Sequence, residues 1–167
     1  TSAPLAAGNA VIAKPAGQTP LIGALAIELM HRAGIPKEVV QLAPGSGRVV
    51  GGTLTAHPLL AGVVFTGSNE TARMINRALA GRDSGAIATL IAETGGQNAM
   101  IADSSSLPEQ VVKDALGSAF TSAGQRCSAA RVLLVQDDIA DKVIGMLAGA
   151  MAELSVGDPG LLSTDVG

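Results

Sequence analysis

The 167-residue sequence contains a single cysteine, Cys127. It lies in the polar run Ser122-Ala123-Gly124-Gln125-Arg126-Cys127-Ser128, not on the apolar face of a periodic segment. A thiol attacks carbon as the thiolate, and the cation of Arg126 beside it favours that form. In an apolar setting a lone cysteine reads as a small buried hydrophobe, so it is the surrounding loop that makes Cys127 a candidate nucleophile. Glu93 is the second unusual placement. It follows the apolar run 88–92 and precedes Thr94-Gly95-Gly96, which puts it at the carboxyl end of an expected strand. Burial of an unpaired carboxylate there is costly, and it is also the condition that makes a carboxylate a useful general base. Two quieter roles stay open for Glu93: accepting backbone amides from the Gly95-Gly96 turn, or pairing with Arg126. A nucleophile and a general base are the two groups covalent catalysis requires.

A second group of residues is suited to holding an anion. Gly45-Ser46-Gly47 with Gly51, and Phe65-Thr66-Gly67-Ser68, each fall between an apolar β-branched run and a helical pattern. At such strand-to-helix turns, backbone amides at the helix start favour phosphate, and Ser68 offers a hydroxyl as well. The spacing Gly45-x-Gly47-x-x-x-Gly51 has one residue more than the dinucleotide fingerprint, so alone it is equally a turn with close helix packing. Capping alone would likewise account for Ser68. Lys14, between an apolar run and Pro15, is positioned either for a cofactor ribose or simply for water.

The elements that must position these groups alternate in the manner of an α/β protein with a parallel sheet. Strands are expected at 9–13, 39–42, 62–65, 88–92, 99–102 and 131–135. Helices are expected at 19–33, from the Gly45-Ser46-Gly47 turn to His57-Pro58, and at 69–80, 108–122 and 139–154. Thr19 stands as the N-cap of the first, with Pro20 in its first turn and Gly34 past its end. A polar turn at 123–126 leads to Cys127. In a parallel sheet the turns at the carboxyl ends of strands converge on a ligand crevice. A change of layer is expected near Gly96, which divides the chain into 1–95 and 96–167.

Composition narrows the function classes. With 47% hydrophobic and 15% charged residues the chain can bury a core. A formal charge of −3 without basic runs, and 1% aromatic residues, argue against nucleic-acid binding. No apolar stretch approaches the roughly 18 to 20 residues of a membrane span. One cysteine forms no internal disulfide, so a reducing, cytoplasmic setting is the natural expectation, and no metal site is expected. Both ends read as cut from a longer polypeptide.

The motifs Ala13-Lys14-Pro15-Ala16, Pro44-Gly45-Ser46-Gly47, Phe65-Thr66-Gly67-Ser68, Glu93-Thr94-Gly95-Gly96 and Gly124-Gln125-Arg126-Cys127, taken in this order, resemble the aldehyde dehydrogenase superfamily along essentially the whole chain. The segments 91–101 and 118–129 are more narrowly similar to the pyrroline-5-carboxylate (glutamate semialdehyde) dehydrogenases, in the form fused to proline dehydrogenase in bifunctional bacterial proline utilisation proteins. The resemblance implies a Rossmann-like, parallel-sheet NAD(P)-binding region over 1–95 and the start of an α/β catalytic domain over 96–167. It implies that Cys127 attacks the aldehyde, that Glu93 activates the water releasing the acid, and that the Cys127 amide contributes to the oxyanion hole. Lys14, Gly47, Gly51, Phe65, Thr66, Gly67 and Ser68 fall at its cofactor positions. The implied reaction oxidises L-glutamate γ-semialdehyde to L-glutamate with NAD, in a homo-oligomeric parent; FAD would belong only to an upstream proline dehydrogenase domain.

Two departures follow from the same resemblance. Many members carry a glutamate three residues after the lysine, where it binds the adenosine ribose; Gly17 stands here, which removes a carboxylate that would repel a 2′-phosphate and leaves NADP open. The family's upstream oxyanion-hole asparagine and its downstream Glu-x-Phe-Gly-Pro region both lie outside 1–167. The 167 residues by themselves are therefore expected to turn over little substrate.

Overall fold

A computed structural model describes residues 1–167. The chain divides into two compact units, Thr1–Glu93 and Thr94–Gly167. Its architecture is three strand-helix-strand segments, each closing a two-stranded sheet. The elements are α1 (Ser2–Ala6), β1 (Val11–Ala13), α2 (Pro20–Arg32), β2 (Val40–Leu42), α3 (Gly52–Ala56), β3 (Gly62–Gly67), α4 (Asn69–Ala80), β4 (Thr89–Thr94), β5 (Asn98–Ala102), α5 (Pro108–Phe120), β6 (Ala130–Val135) and α6 (Asp137–Ala152). The short helix α1 was not foreseen. Its five residues lack the length over which an apolar repeat becomes visible.

In the first unit β1 and β2 run parallel, with Val11 opposite Val40 and Ala13 opposite Leu42. Parallel strands need a crossover, and α2 supplies it. Pro20 opens α2 as expected, and Gly34, at φ +97°, takes the left-handed conformation that ends it. Thr19 holds the N-cap position, but its side chain makes no capping hydrogen bond. Ile27 of α2 and Val40 of β2 are buried, Val40 completely. A wide, π-type helical turn over Gly47–Gly51 runs directly into α3. His57 then turns to extended backbone (ψ 131°), as the residue before Pro58 must.

The strand β3 pairs with β4. Both are longer than the apolar runs suggested: β3 continues through Thr66 and Gly67, and β4 through Glu93 and Thr94. Backbone pairing propagates past the last apolar side chain, so hydropathy alone underestimates these strands. The connecting loop is tied down by Arg82, which donates to the carbonyls of His57 (2.9 Å), Leu60 (2.9 Å) and Ala86 (2.6 Å).

In the second unit β5 and β6 are parallel and α5 crosses between them. α5 packs against α6, where Val143 is fully buried, together with Val112 and Ala115. Lys142 and Glu109 form an ion pair of 3.5 Å between the same helices; both are exposed, which makes it a minor contributor. The helix expected to reach residue 122 stops at Phe120, and α6 begins two residues earlier than expected, at Asp137. Asp137 and Asp138 suit a first helical turn, where the backbone dipole favours acids. No helix is long and apolar enough to cross a membrane.

Candidate active site

The expected anion-binding groups all belong to the first unit. Because β1 and β2 are parallel and in register, Lys14 and the Pro44-Gly45 turn leave the ladder at the same end, where the Ala43 amide donates to Ala13 O (2.9 Å). Lys14 is half-buried and its Nζ donates to Pro15 O (2.7 Å), so its ammonium is held on its own loop. Gly45 sits at φ +146°, and a Cβ there would meet the Val50 side chain at 2.6 Å; this position needs glycine. Ser46 then caps the helical turn, accepting from the Val49 amide at 3.2 Å. A Cβ on Gly47 or on Gly51 would meet nothing within 4 Å, so both glycines leave space open at this turn.

The second turn repeats the device. Ser68 is the N-cap of α4 and accepts from the Thr71 amide at 3.2 Å, while its hydroxyl donates to Thr71 Oγ1 (3.0 Å). Gly67 leaves room for the Phe65 ring, whose tip would stand 2.5 Å from a Cβ at 67 and would have to move aside for one. Phe65 thus folds back beneath its own turn, and Thr66 is exposed above it. The helices that follow the two turns, α3 and α4, pack together. Hydroxyls, first-turn amides and one ammonium make a donor set that fits the pyrophosphate and ribose groups of a dinucleotide. Gly17 is exposed with open space about it, so no carboxylate narrows this donor set.

Glu93 lies within β4, the last residue of the first unit, and its side chain is exposed. The strand continues one residue past Glu93, so the carboxylate lies inside the strand and not at its end. Gly95 and Gly96 follow in open space, where a Cβ on either would meet nothing within 4 Å.

Cys127 belongs to the second unit and is exposed, as a reactive thiol must be. The turn before it is strained. Ser122 (φ 57°), Ala123 (φ 52°) and Gly124 (φ 67°) are three successive left-handed residues, two of them with side chains. Such positions cost about 1–3 kcal/mol each and persist only where their surroundings fix them. Gly124 is buried, and a Cβ on it would stand 2.7 Å from Ala119 O.

Three side chains hold the segment from this turn into β6, and none of them was given a role in the sequence analysis. Arg131 donates to Gly124 O (2.8 Å). Ser118 accepts from the Ala130 amide (3.2 Å). Asn98 donates to Cys127 O (2.6 Å) and to Ala129 O (3.0 Å). The available signal was Asn98 itself, since asparagine is disfavoured in strands and needs a reason to open one. A cleft beside the turn is lined by Met100, Lys113, Asp114, Gly117, Arg126 and Ser128, two cations against one anion.

The comparisons with known proteins agree with the motif order. The aldehyde dehydrogenase family matches residues 1–167. The bifunctional protein PutA of Escherichia coli K12 is 58% identical over 168 residues, covering 99% of this chain and 13% of that protein. The 1-pyrroline-5-carboxylate dehydrogenase of Bacillus cereus is 36% identical, covering 100% of this chain and 33% of the relative. A crystal structure of bifunctional proline utilization A superposes with a TM-score of 0.94 at 62% identity, over 99% of this chain and 17% of that one. The chain therefore spans between about an eighth and a third of the length of these relatives.

Proposed function

The chain belongs to the aldehyde dehydrogenase family, and from that premise we propose that it carries the nucleophile, the general base and part of the dinucleotide site of an enzyme oxidising L-glutamate γ-semialdehyde to L-glutamate. The observation that carries the proposal is the exposed thiol of Cys127 on a strained turn held by side chains, which is where a nucleophile rather than a packing residue belongs. Similarity to a pyrroline-5-carboxylate dehydrogenase along the whole chain supports the choice of substrate.

In this reading Lys14 would hydrogen-bond ribose hydroxyls, while Ser68, Thr66 and the amides beside Gly47, Gly51 and Gly67 would hold the phosphates, with the Phe65 ring packed against the Gly67 turn. The dinucleotide, NAD or with Gly17 also NADP, supplies the hydride acceptor. The Cys127 thiolate attacks the aldehyde carbon and forms a hemithioacetal, whose oxyanion is met by the Cys127 backbone amide. Loss of hydride leaves a thioester on Cys127. Glu93 takes a proton from the water that attacks this thioester, and glutamate leaves as the thiol is restored. Residues 1–95 serve the cofactor and also carry the base Glu93, and 96–167 carry the thiol.

The test is a panel of semialdehydes given to the full-length polypeptide that carries this segment, with NAD and NADP. Glutamate semialdehyde is expected to give the highest kcat/KM. A preference for succinic or methylmalonic semialdehyde would move the enzyme to another branch of the family. Dinucleotide binding without oxidation of any aldehyde would make the segment a cofactor-binding module only.

A further inference from the structure

The ladder between β5 and β6 is irregular at its start. Asn98 lies opposite Ala130, but the next pair is Ala99 with Val132, so Arg131 has no partner across the ladder. This is a bulge, one extra residue that bends a strand and re-aims its side chains. Here it falls shortly after Cys127 in the chain. Its two sides both reach back to the thiol turn: Arg131, the extra residue, donates to Gly124 O (2.8 Å), and Asn98, opposite, donates to the carbonyls of Cys127 (2.6 Å) and Ala129 (3.0 Å). One side-chain amide thus bridges carbonyls on either side of Ser128, and it grips the nucleophile's own peptide.

We propose that Asn98 is a positioning residue for the Cys127 thiol, acting through the bulge rather than by touching substrate. The proposal rests on the reading of Cys127 as nucleophile. The Cys127 carbonyl belongs to the peptide that joins Cys127 to Ser128, and turning that peptide re-aims the Ser128 amide and resets the path of the chain out of Cys127. Two donors from one rigid amide group fix that rotation. Arg131 anchors the left-handed residues 122–124, and the Ala129 amide donates to Arg126 O (3.1 Å) across Cys127 and Ser128, so Asn98 adds the side-chain hold on the Cys127 carbonyl that neither of these supplies. Asn98 is suited to this task because its amide presents two N–H groups on a side chain with two rotatable bonds. Aspartate has the same shape and offers only acceptors, so it would repel both carbonyls.

The test uses Asn98→Ala and Asn98→Asp in the full-length enzyme, with Cys127→Ala as reference. Expected for both Asn98 variants is a fall in kcat on the order of 10- to 100-fold, the scale set by a nucleophile displaced by about 1 Å. The equilibrium binding of NAD should be unchanged. The rate at which iodoacetamide alkylates Cys127 should change, together with its pH profile, which a residue serving only stability would not move. Unchanged kcat and an unchanged alkylation profile in either folded variant would overturn the proposal. If aspartate prevents folding, the alanine variant or Asn98→Ser decides on the same readouts. Loss of NAD binding in step with kcat in every variant would also overturn it, since Asn98 would then be a folding residue. Retained oxidation in Cys127→Ala would instead remove the reading on which the proposal stands.

Discussion

A thiol and a carboxylate separated by 34 positions (127 − 93) have separable duties in a thioester mechanism, and substitution can tell them apart. Cys127→Ala in the full-length enzyme is expected to abolish aldehyde oxidation while NAD binding persists, checked by steady-state rates beside equilibrium titration. Glu93→Gln keeps shape and removes the base. Hydride transfer should then occur once and stall at the thioester, visible as a burst of NADH about equal to the enzyme concentration with little turnover after it. Equal loss of burst and steady state would argue against a role in deacylation. Both residues were legible from sequence because each interrupts a pattern: a carboxylate ending an apolar run, a thiol inside a polar one. The position of Glu93 inside β4 was not legible, because backbone pairing carries the strand past its last apolar residue.

At the scale of elements, the turns decide function. Ser68 opens α4 by capping, and Ser68→Ala should lower stability by about 1 kcal/mol, seen in denaturant titration. The same change should weaken NAD binding, because a hydroxyl and the order of the first helical turn are lost together. Gly124→Ala is the sharper case. The residue needs φ +67°, and a Cβ would press on Ala119 O at 2.7 Å. Destabilisation of about 1–3 kcal/mol is expected, read as a lower melting temperature, with slower alkylation of Cys127. A glycine-rich run predicts a turn, yet Ser122 and Ala123 share its left-handed backbone, and no residue preference announces that. Likewise the bulge at Arg131 leaves no mark in the alternation of β6, because a single extra residue in a six-residue strand does not disturb its apolar count.

At the scale of the whole chain, each unit has its own small core, around Val40 and Leu79 in one and Val112 and Val143 in the other. Many large apolar side chains remain exposed, among them Leu21 (84%), Ile87 (101%), Ile101 (77%) and Leu162 (107%). Together with a coverage of 13% of the PutA relative, this makes the full-length polypeptide the proper object for kinetics. The 167 residues alone are expected to show little or no turnover of glutamate semialdehyde. A rate near the ordinary enzyme value of about 10 per second would contradict that.

Order along the chain was enough to determine the alternation of strands and helices, the glycine turns and the family, and to single out the thiol as a candidate nucleophile, because each depends on local residue type or on spacing between motifs. The length of β3 and β4, the three left-handed residues before Cys127 and the grip of Asn98 on that peptide came only with the tertiary structure. Those features are set by pairing and contact between residues far apart in the chain, 29 and 31 positions in the two Asn98 hydrogen bonds. A hydrogen bond of that span is specified by how two strands meet, and neither strand's composition contains it.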